Sequence, residues 1–346
     1  MSLAPTPTPA STPSPPEPAL RYAFLLGRGR SGTTWIGQIL NQFPGCHYKY
    51  EPFNWDKPAP YHEWLADLPD GDDVDLRRRF EALMRGCQHN VDYPPFIPKP
   101  CRPQPKALLR LTWQAGKVLP AARGLYERYG RPSYRAGDWA LIKQVNFANE
   151  LLERLAAVLD PHVLAIVRNP FASVSSTFRF QDNEPIEPIR TDKTVARVVE
   201  LLPSVARFGV PQLSTEELWR LPEAAFEAVR WRVQSEPLAD FARNSPRGLL
   251  MTHEQFAGDP EAAAREAYAF FGWPFDDAVS EFLHSTTSGE KSRPGASAAK
   301  RQYSIHRDPA EAVRRWRKDL TDEQVGDIRA IVSGSALLEL WPELSA

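Results

Sequence analysis

No run of apolar residues in this chain approaches the ~20 that a bilayer-crossing helix needs, and the N-terminus lacks the basic-then-apolar order of a secretory signal. Neither a membrane span nor an export leader is expected, and the expected location is the cytoplasm. Cysteine is scarce. Cys46, Cys87 and Cys101 are odd in number and far apart, matching neither a disulfide framework nor paired metal-ligand spacing, and free thiols are expected. Net charge is nearly absent too: 42 Lys and Arg against 43 Asp and Glu leave a formal −1. No bulk field draws such a chain to nucleic acid or to an anionic membrane, so any anion site has to be local.

What the chain does have is an ordinary globular composition, 42% hydrophobic and 25% charged over 346 residues, enough to bury roughly three quarters of the unfolded surface. The length fits two domains, or one α/β domain with insertions. Residues 1–20 open on MSLAPTPTPASTPSPPEPA, with seven prolines among Ser, Thr and Ala. That composition cannot bury a core and predicts a disordered tail, which leaves 21–346 as the folded unit.

From Arg21 the pattern changes. YAFLL is a short apolar run ended by Gly27 and predicts a buried parallel strand, and TTWIGQILNQF then spaces its apolar residues as a helix does, until Pro44-Gly45. CHYKY (46–50) predicts a second strand, with Glu51 extended at its end because Pro52 disfavours helical geometry before it. Residues 56–138 mix aromatics with a proline cluster and helical pieces such as VDLRRRFEALMRG, and read as an insertion over the sheet, a possible acceptor lid. The framework resumes with WALIKQV (139–145), NELLERLAAVL (149–159), HVLAIV (162–167) and a helix starting at NPFASVSSTF. GLLMTHE (248–254) predicts a further strand, DPEAAAREAYAFFG (259–272) a capped helix, and the final third is helical. Strands alternating with helices in this way predict a three-layer α/β fold, a central parallel sheet flanked by helices.

The segment from Tyr22 to Leu40, YAFLLGRGRSGTTWIGQIL, places a glycine-bearing turn between a strand and a helix. Backbone N–H groups without helical partners and the positive end of the helix dipole make such a turn an anion site. Gly27 and Gly32 have the glycine spacing of a nucleotide-triphosphate loop, but Thr33 stands where that loop keeps its lysine, and the cation is Arg30. A triphosphate hydrolase also wants a strand-end acid for Mg²⁺. HVLAIV ends instead in Arg168-Asn169-Pro170, a cation suited to a second phosphate.

With those residues in view the chain resembles the sulfotransferases that use 3′-phosphoadenosine 5′-phosphosulfate (PAPS), a P-loop-like family. GRGRSGTTW is similar to their 5′-phosphosulfate loop, which implies donor contacts from Arg30, Ser31, Gly32, Thr33 and Thr34, with Trp35 shared between core and adenine. VRNPFASVSSTF resembles their 3′-phosphate motif, an Arg with a Ser eight positions on, here Arg168 and Ser176. LMTHEQFAGDP resembles a late segment in which a Tyr reaches the adenine, and His253 stands at that Tyr. KRQYSIHRDPAEAVRRWRKDLTDEQ resembles the region that supplies a basic residue to the 3′-phosphate ahead of a helix tryptophan, which implies Arg307, with Arg301 behind it, and Trp316.

The family's cytosolic members use a histidine shortly after a strand-end lysine. Here IKQVNF keeps Lys143 but has Val145 at the histidine position, whereas Glu51-Pro52 matches the Glu-Pro of carbohydrate-modifying and bacterial members. The resemblance therefore implies transfer of a sulfuryl group from PAPS to a hydroxyl of a glycan or small metabolite, with Glu51 as base, Arg30 and Lys143 stabilising the leaving group, and no metal. Two other readings stay open: a nucleotide or small-molecule kinase with a variant loop, and a catalytically silent nucleotide-binding module. The oligomeric state is not written in the chain.

Overall fold

The computed structural model describes residues 19–54, 72–92, 94–147, 149–183, 189–287 and 313–344. The proline-rich tail up to residue 18, residues 55–71 at the start of the aromatic stretch, Arg301 and Arg307 lie outside the described residues. In chain order the elements are β1 (Arg21–Gly27), α1 (Thr33–Leu40), β2 (Cys46–Tyr50), α2 (Asp73–Arg85), α3 (Lys106–Gly116), α4 (Pro120–Tyr129), β3 (Trp139–Val145), α5 (Asn149–Leu159) and β4 (His162–Val167). There follow α6 (Pro170–Asn183), α7 (Asp192–Val205), α8 (Thr215–Arg220), α9 (Glu223–Asn244), β5 (Gly248–Thr252), α10 (His253–Gly258), α11 (Pro260–Phe271), α12 (Asp277–Thr287), α13 (Trp316–Asp319) and α14 (Asp322–Val332).

The five strands form one parallel sheet in the order β2-β3-β1-β4-β5. Because both faces are covered, the central strands β1 and β4 are nearly continuously apolar, as buried parallel strands tend to be. One face, with Ala23, Leu25, Leu141, Leu164 and Ile166, packs on α1, α11 and α12. The other, with Phe24, Ala140, Ile142 and Ala165, packs on α2, α5 and α9. Ile36, Ile39 and Leu40 of α1 are wholly buried, each contributing about 1.5–3 kcal/mol.

In register, Tyr50 lies opposite Lys143, Gly27 opposite both Val145 and Ile166, and Val167 opposite Thr252, so the carboxyl ends of all five strands align. The connection after β1 leads to one side of the sheet and that after β4 to the other. The crevice between their carboxyl ends is therefore a topological switch point, where open α/β sheets bind ligands.

Two local expectations are corrected. Glu51 is not extended: its φ is +46°. Its amide donates to the Lys143 carbonyl at 2.7 Å and Asn54 N returns to the Glu51 carbonyl at 3.3 Å, so tertiary bonds and a tight turn override the preference imposed by Pro52. The last strand stops at Thr252 rather than at residue 254. Thr252 Oγ1 accepts from Gln255 N at 3.0 Å, and the Gln255 side chain accepts from Thr252 N at 2.6 Å, a capping box that starts α10 at His253.

Candidate active site

The turn after β1 is shaped by two glycines. A Cβ on Gly27 would meet the Ile166 carbonyl at 2.8 Å and Ser31 Oγ at 2.6 Å. Gly32 has φ +83°, and a Cβ there would fall 2.3 Å from His253 Nδ1. Between them Arg30, a residue with a Cβ, is also left-handed at φ +73°, a conformation that disfavours L-residues by about 1–2 kcal/mol. The turn is held from outside: Gly29 N donates to Asn146 Oδ1 at 2.8 Å, and Asn146 N donates to the Gly27 carbonyl at 3.0 Å.

At the start of α1 the Thr33 and Thr34 amides precede the first helical acceptor and face an N-terminus with no acidic residue in its first turn. The Ser31 amide differs from expectation. It donates to the Arg28 carbonyl at 3.1 Å within the turn, which leaves the Ser31 hydroxyl, buried and without a hydrogen-bond partner among the described residues, as that residue's free polar group.

The loop cation and the second phosphate motif meet. Arg30 Nε donates to Ser176 Oγ at 3.3 Å, its guanidinium lies 4.6 Å from the centre of the Phe180 ring, and Arg168 Nη1 donates to the Arg30 carbonyl at 2.8 Å. The neighbouring hydroxyls of α6 have other duties: Ser173 accepts from Arg28, Ser175 donates to Asp319, and Thr177 donates to the Ser173 carbonyl. Ser176 alone among these four meets Arg30. The Arg168 carbonyl accepts from Trp231 Nε1 at 2.9 Å, which fixes the end of β4 on α9.

His253 lies against Gly32, buried, with neither ring nitrogen hydrogen-bonded among the described residues. Burial, and then the Arg168 charge, push its pKa well below the ordinary histidine value, so the ring is neutral. Its neighbour Glu254 is occupied, accepting from Asn169 N at 3.2 Å and Trp341 Nε1 at 3.0 Å. Trp35 is half-buried, edge-on to Phe256, and its Nε1 donates to Thr286 Oγ1 at 3.3 Å. Trp316 is buried and stacks on Phe171 at 4.8 Å, bracing α6.

On the other side of the loop Lys143 Nζ donates to Glu51 Oε1, and Asn54 Nδ2 donates to Glu51 Oε2. Burial first, and then Arg30, push the Lys143 ammonium well below its usual range, while the Glu51 carboxylate on the same nitrogen opposes that shift. The Asn54 amide is itself oriented. The Phe53 N–H, which can only donate, bonds Gln144 Oε1 at 3.1 Å, so Gln144 Nε2 faces Asn54 Oδ1 at 2.8 Å and Asn54 is left to donate to Glu51.

Several residues of this arrangement carry no motif. Arg28 forms a buried ion pair with Glu227 of α9 and donates to Ser173 Oγ at 2.8 Å. Burial would raise the Glu227 carboxyl, but Arg28 and Arg230 overcome it and hold the carboxylate below its ordinary range. This pair, together with Asn54, Gln144 and Asn146, escapes sequence reasoning. The one available signal is a Glu on an apolar stretch of helix.

Each strand thus delivers a candidate group at its carboxyl end: Glu51 after β2, Lys143 near the end of β3, the glycine turn after β1, Arg168 after β4 and His253 after β5. A parallel sheet whose switch point holds a glycine turn, cations and one flanking carboxylate defines a P-loop-like protein built for an anionic ligand. Residues 21–339 match the family model of the sulfotransferase domain, and the chain belongs to that family. Carbohydrate sulfotransferase 6 of Homo sapiens is 24% identical over 366 residues, covering 95% of this chain and 83% of that protein. Carbohydrate sulfotransferase 7 of Mus musculus is 24% identical over 379 residues, covering 93% and 74%. Among solved structures, mouse sulfotransferase SULT7A1 complexed with PAP aligns with 95% of this chain and 88% of its own at 13% identity, with a TM-score of 0.48.

Proposed function

We propose that this sulfotransferase carries the sulfuryl group of PAPS to a hydroxyl of a glycan or small metabolite, with Glu51 as the general base. The observation that carries the reading is the convergence of Arg30, Arg168, Ser176 and the glycine turn beside a carboxylate–lysine pair at one sheet edge. The Ser31 hydroxyl and the two His253 nitrogens, unpartnered among the described residues, fit a polar ligand resting on the turn. The carbohydrate sulfotransferases among its relatives favour a glycan acceptor.

Bound there, PAPS supplies the sulfuryl group and a bisphosphate leaving group. The amides of Gly32, Thr33 and Thr34 and the Ser31 hydroxyl hold the 5′-side anion. Arg168 and Ser176 hold the 3′-phosphate. Trp35 and His253 border the adenine, the latter as a neutral imidazole. Glu51 takes the acceptor proton, Lys143 and Arg30 keep positive charge where the leaving group gains negative charge, and Asn54 holds the carboxylate in place.

The test is a thermal shift of the full chain with 3′,5′-adenosine bisphosphate and, separately, with ATP·Mg. The bisphosphate at ~100 times its Kd stabilises the fold by about 2.7 kcal/mol. A shift with ATP·Mg alone overturns the reading in favour of a kinase.

A further inference from the structure

Away from the site, the helical hairpin of α3 and α4 has a surface that the reaction does not explain. Seven large apolar side chains are exposed among the described residues, and five of them, Leu108, Leu111, Val118, Leu119 and Leu125, fall within residues 108–125. Single exposed leucines are ordinary on a soluble protein; a cluster is not. The hairpin's own burial explains the split. Leu109, Thr112 and Gly116 turn inward at helical spacing, which leaves Leu108 and Leu111 on an outer flank that leads to Val118 in the turn. Val118 and Leu119 form the tip, 81% and 57% exposed, and Leu111 is 64% exposed.

The same segment is the local charge anomaly of a nearly neutral chain. Residues 106–131 hold six basic side chains, Lys106, Arg110, Lys117, Arg123, Arg128 and Arg131, against the single acid Glu127. None of the six is in an ion pair among the described residues. Arg128 and Arg131 also line an open cleft of about 510 Å³ beside α4, with Gln88 and Gly124.

We propose that this hairpin docks peripherally on an anionic lipid surface, its leucine row and Val118-Leu119 tip entering the headgroup boundary while the basic side chains meet lipid phosphates. Exposed leucines interleaved with cations are what such a surface selects, apolar burial and electrostatic attraction acting together. Among the described residues no helix is long and apolar enough to cross a membrane, so the contact is interfacial. An isologous contact with a second copy would press like charges together. A polyanionic glycan would want exposed aromatic faces, yet the Trp113 ring of α3 is stacked on His89 and approached by Lys117 Nζ at 4.1 Å.

The test is co-sedimentation of the full chain with vesicles of phosphatidylcholine alone and of phosphatidylcholine mixed equally with phosphatidylglycerol, alongside light scattering. We expect binding to the anionic vesicles only, weakened by salt. The Leu111→Glu/Val118→Glu variant should reduce the bound fraction at least about tenfold, whereas Leu111→Ile/Val118→Ile keeps it. All variants should retain the wild-type Tm and sulfuryl transfer to a soluble acceptor. Failure to bind anionic vesicles overturns the proposal. So does binding indifferent to the glutamate pair, equal capture by a soluble sulfated polysaccharide in all variants, or a dimer that dissociates on Leu111→Glu.

Discussion

Lys143 Nζ donates to Glu51 Oε1 across two neighbouring parallel strands, because β2 and β3 pair in a register that sets Tyr50 opposite Lys143 and brings the next residue, Glu51, over the lysine. The Glu51 amide closes the same contact from the backbone, bonding the Lys143 carbonyl at 2.7 Å. The side chains are both buried, and Arg30 is close enough to oppose the lysine's charge. A carboxylate, an ammonium and a guanidinium thus stand in sequence from the sheet edge to the glycine turn. Such an array can accept a proton at one end and hold negative charge at the other.

Glu51→Gln keeps the shape of the side chain and its bond to Asn54 can persist through the amide oxygen, but it removes the basic oxygen. Turnover with PAPS should fall by at least about 100-fold, while isothermal titration with adenosine bisphosphate gives a Kd near the wild-type one. Loss of bisphosphate binding together with turnover would make Glu51 structural.

How much of this arrangement is legible beforehand depends on whether a residue's role is set by its neighbours in the chain. YAFLL, WALIKQV and HVLAIV are readable as strands because burial on both faces makes them mostly apolar and a glycine, asparagine or arginine ends each run. Arg30, Arg168 and Ser176 are readable because a turn between strand and helix uses consecutive residues. The 22-residue α9 is not readable. It is buried around most of its circumference, so no 3.6-residue polar stripe marks it, and Pro237 interrupts its interior. Glu227 on that helix looks like a surface acid until the fold sets Arg28 against it. Glu51 was legible as a residue but not in its backbone, since its left-handed turn comes from bonds to Lys143 and Asn54 that lie far off in sequence or in a short turn of their own.

The Arg28–Glu227 pair predicts a stability effect separable from chemistry. Glu227→Ala leaves the buried Arg28 guanidinium uncompensated and should destabilise the fold by about 3–5 kcal/mol in urea unfolding. The double variant Arg28→Met/Glu227→Leu removes both charges and should recover most of that loss. If the double variant is as unstable as the single one, the two residues are not coupled.

Gly32 and Gly209 share a left-handed backbone, φ +83° and +69°, but only Gly32 has a neighbour in the way. Gly209→Ala, with open space around it, should cost about 1–2 kcal/mol, the conformational penalty alone. Gly32→Ala adds a methyl against the His253 ring and should lower the Tm further, with adenosine bisphosphate no longer shifting it. Equal Tm losses for the two variants would show that the imidazole yields freely.

Two fully buried histidines should steepen the acid limb of stability. Burial first, and then Lys49, push His47 down to about 3 although Asp92 opposes the shift, and His253 is likewise held well below the ordinary 6.5. In the unfolded chain both bind protons near that ordinary value, so below it the unfolded state holds more protons and stability rises with pH. The contribution is complete above pH 6.5 and is lost as pH falls toward the folded values. Between pH 6.5 and about 5, above the usual carboxylate range, the slope should approach about 1.4 kcal/mol per pH unit for each histidine. Urea midpoints measured across this interval check it, and His253→Leu should flatten the slope; an unchanged slope would mean the ring can take up a proton where it stands.

Asn54 offers the sharpest separation of positioning from bulk structure. Its amide is oriented by a relay in which Phe53 N–H fixes Gln144 and Gln144 fixes Asn54, leaving Asn54 to donate to Glu51 Oε2. Asn54→Asp preserves size and still accepts from Gln144, but it turns an oxygen toward the carboxylate where a donor stood. Asn54→Ala removes the donor without adding repulsion. If the relay holds Glu51 in its working position, kcat should fall by about tenfold or more for Asp and by less for Ala, because an unpartnered acceptor is less disturbed than one facing a second negative charge. The bisphosphate Kd should change little in either variant, since the glycine turn is not touched, and the Tm should fall by only a few degrees, the cost of the lost bonds. Equal kcat values for Asn54→Asp and wild type would remove Asn54 from the working site, and a matched fall in Tm would make its role structural.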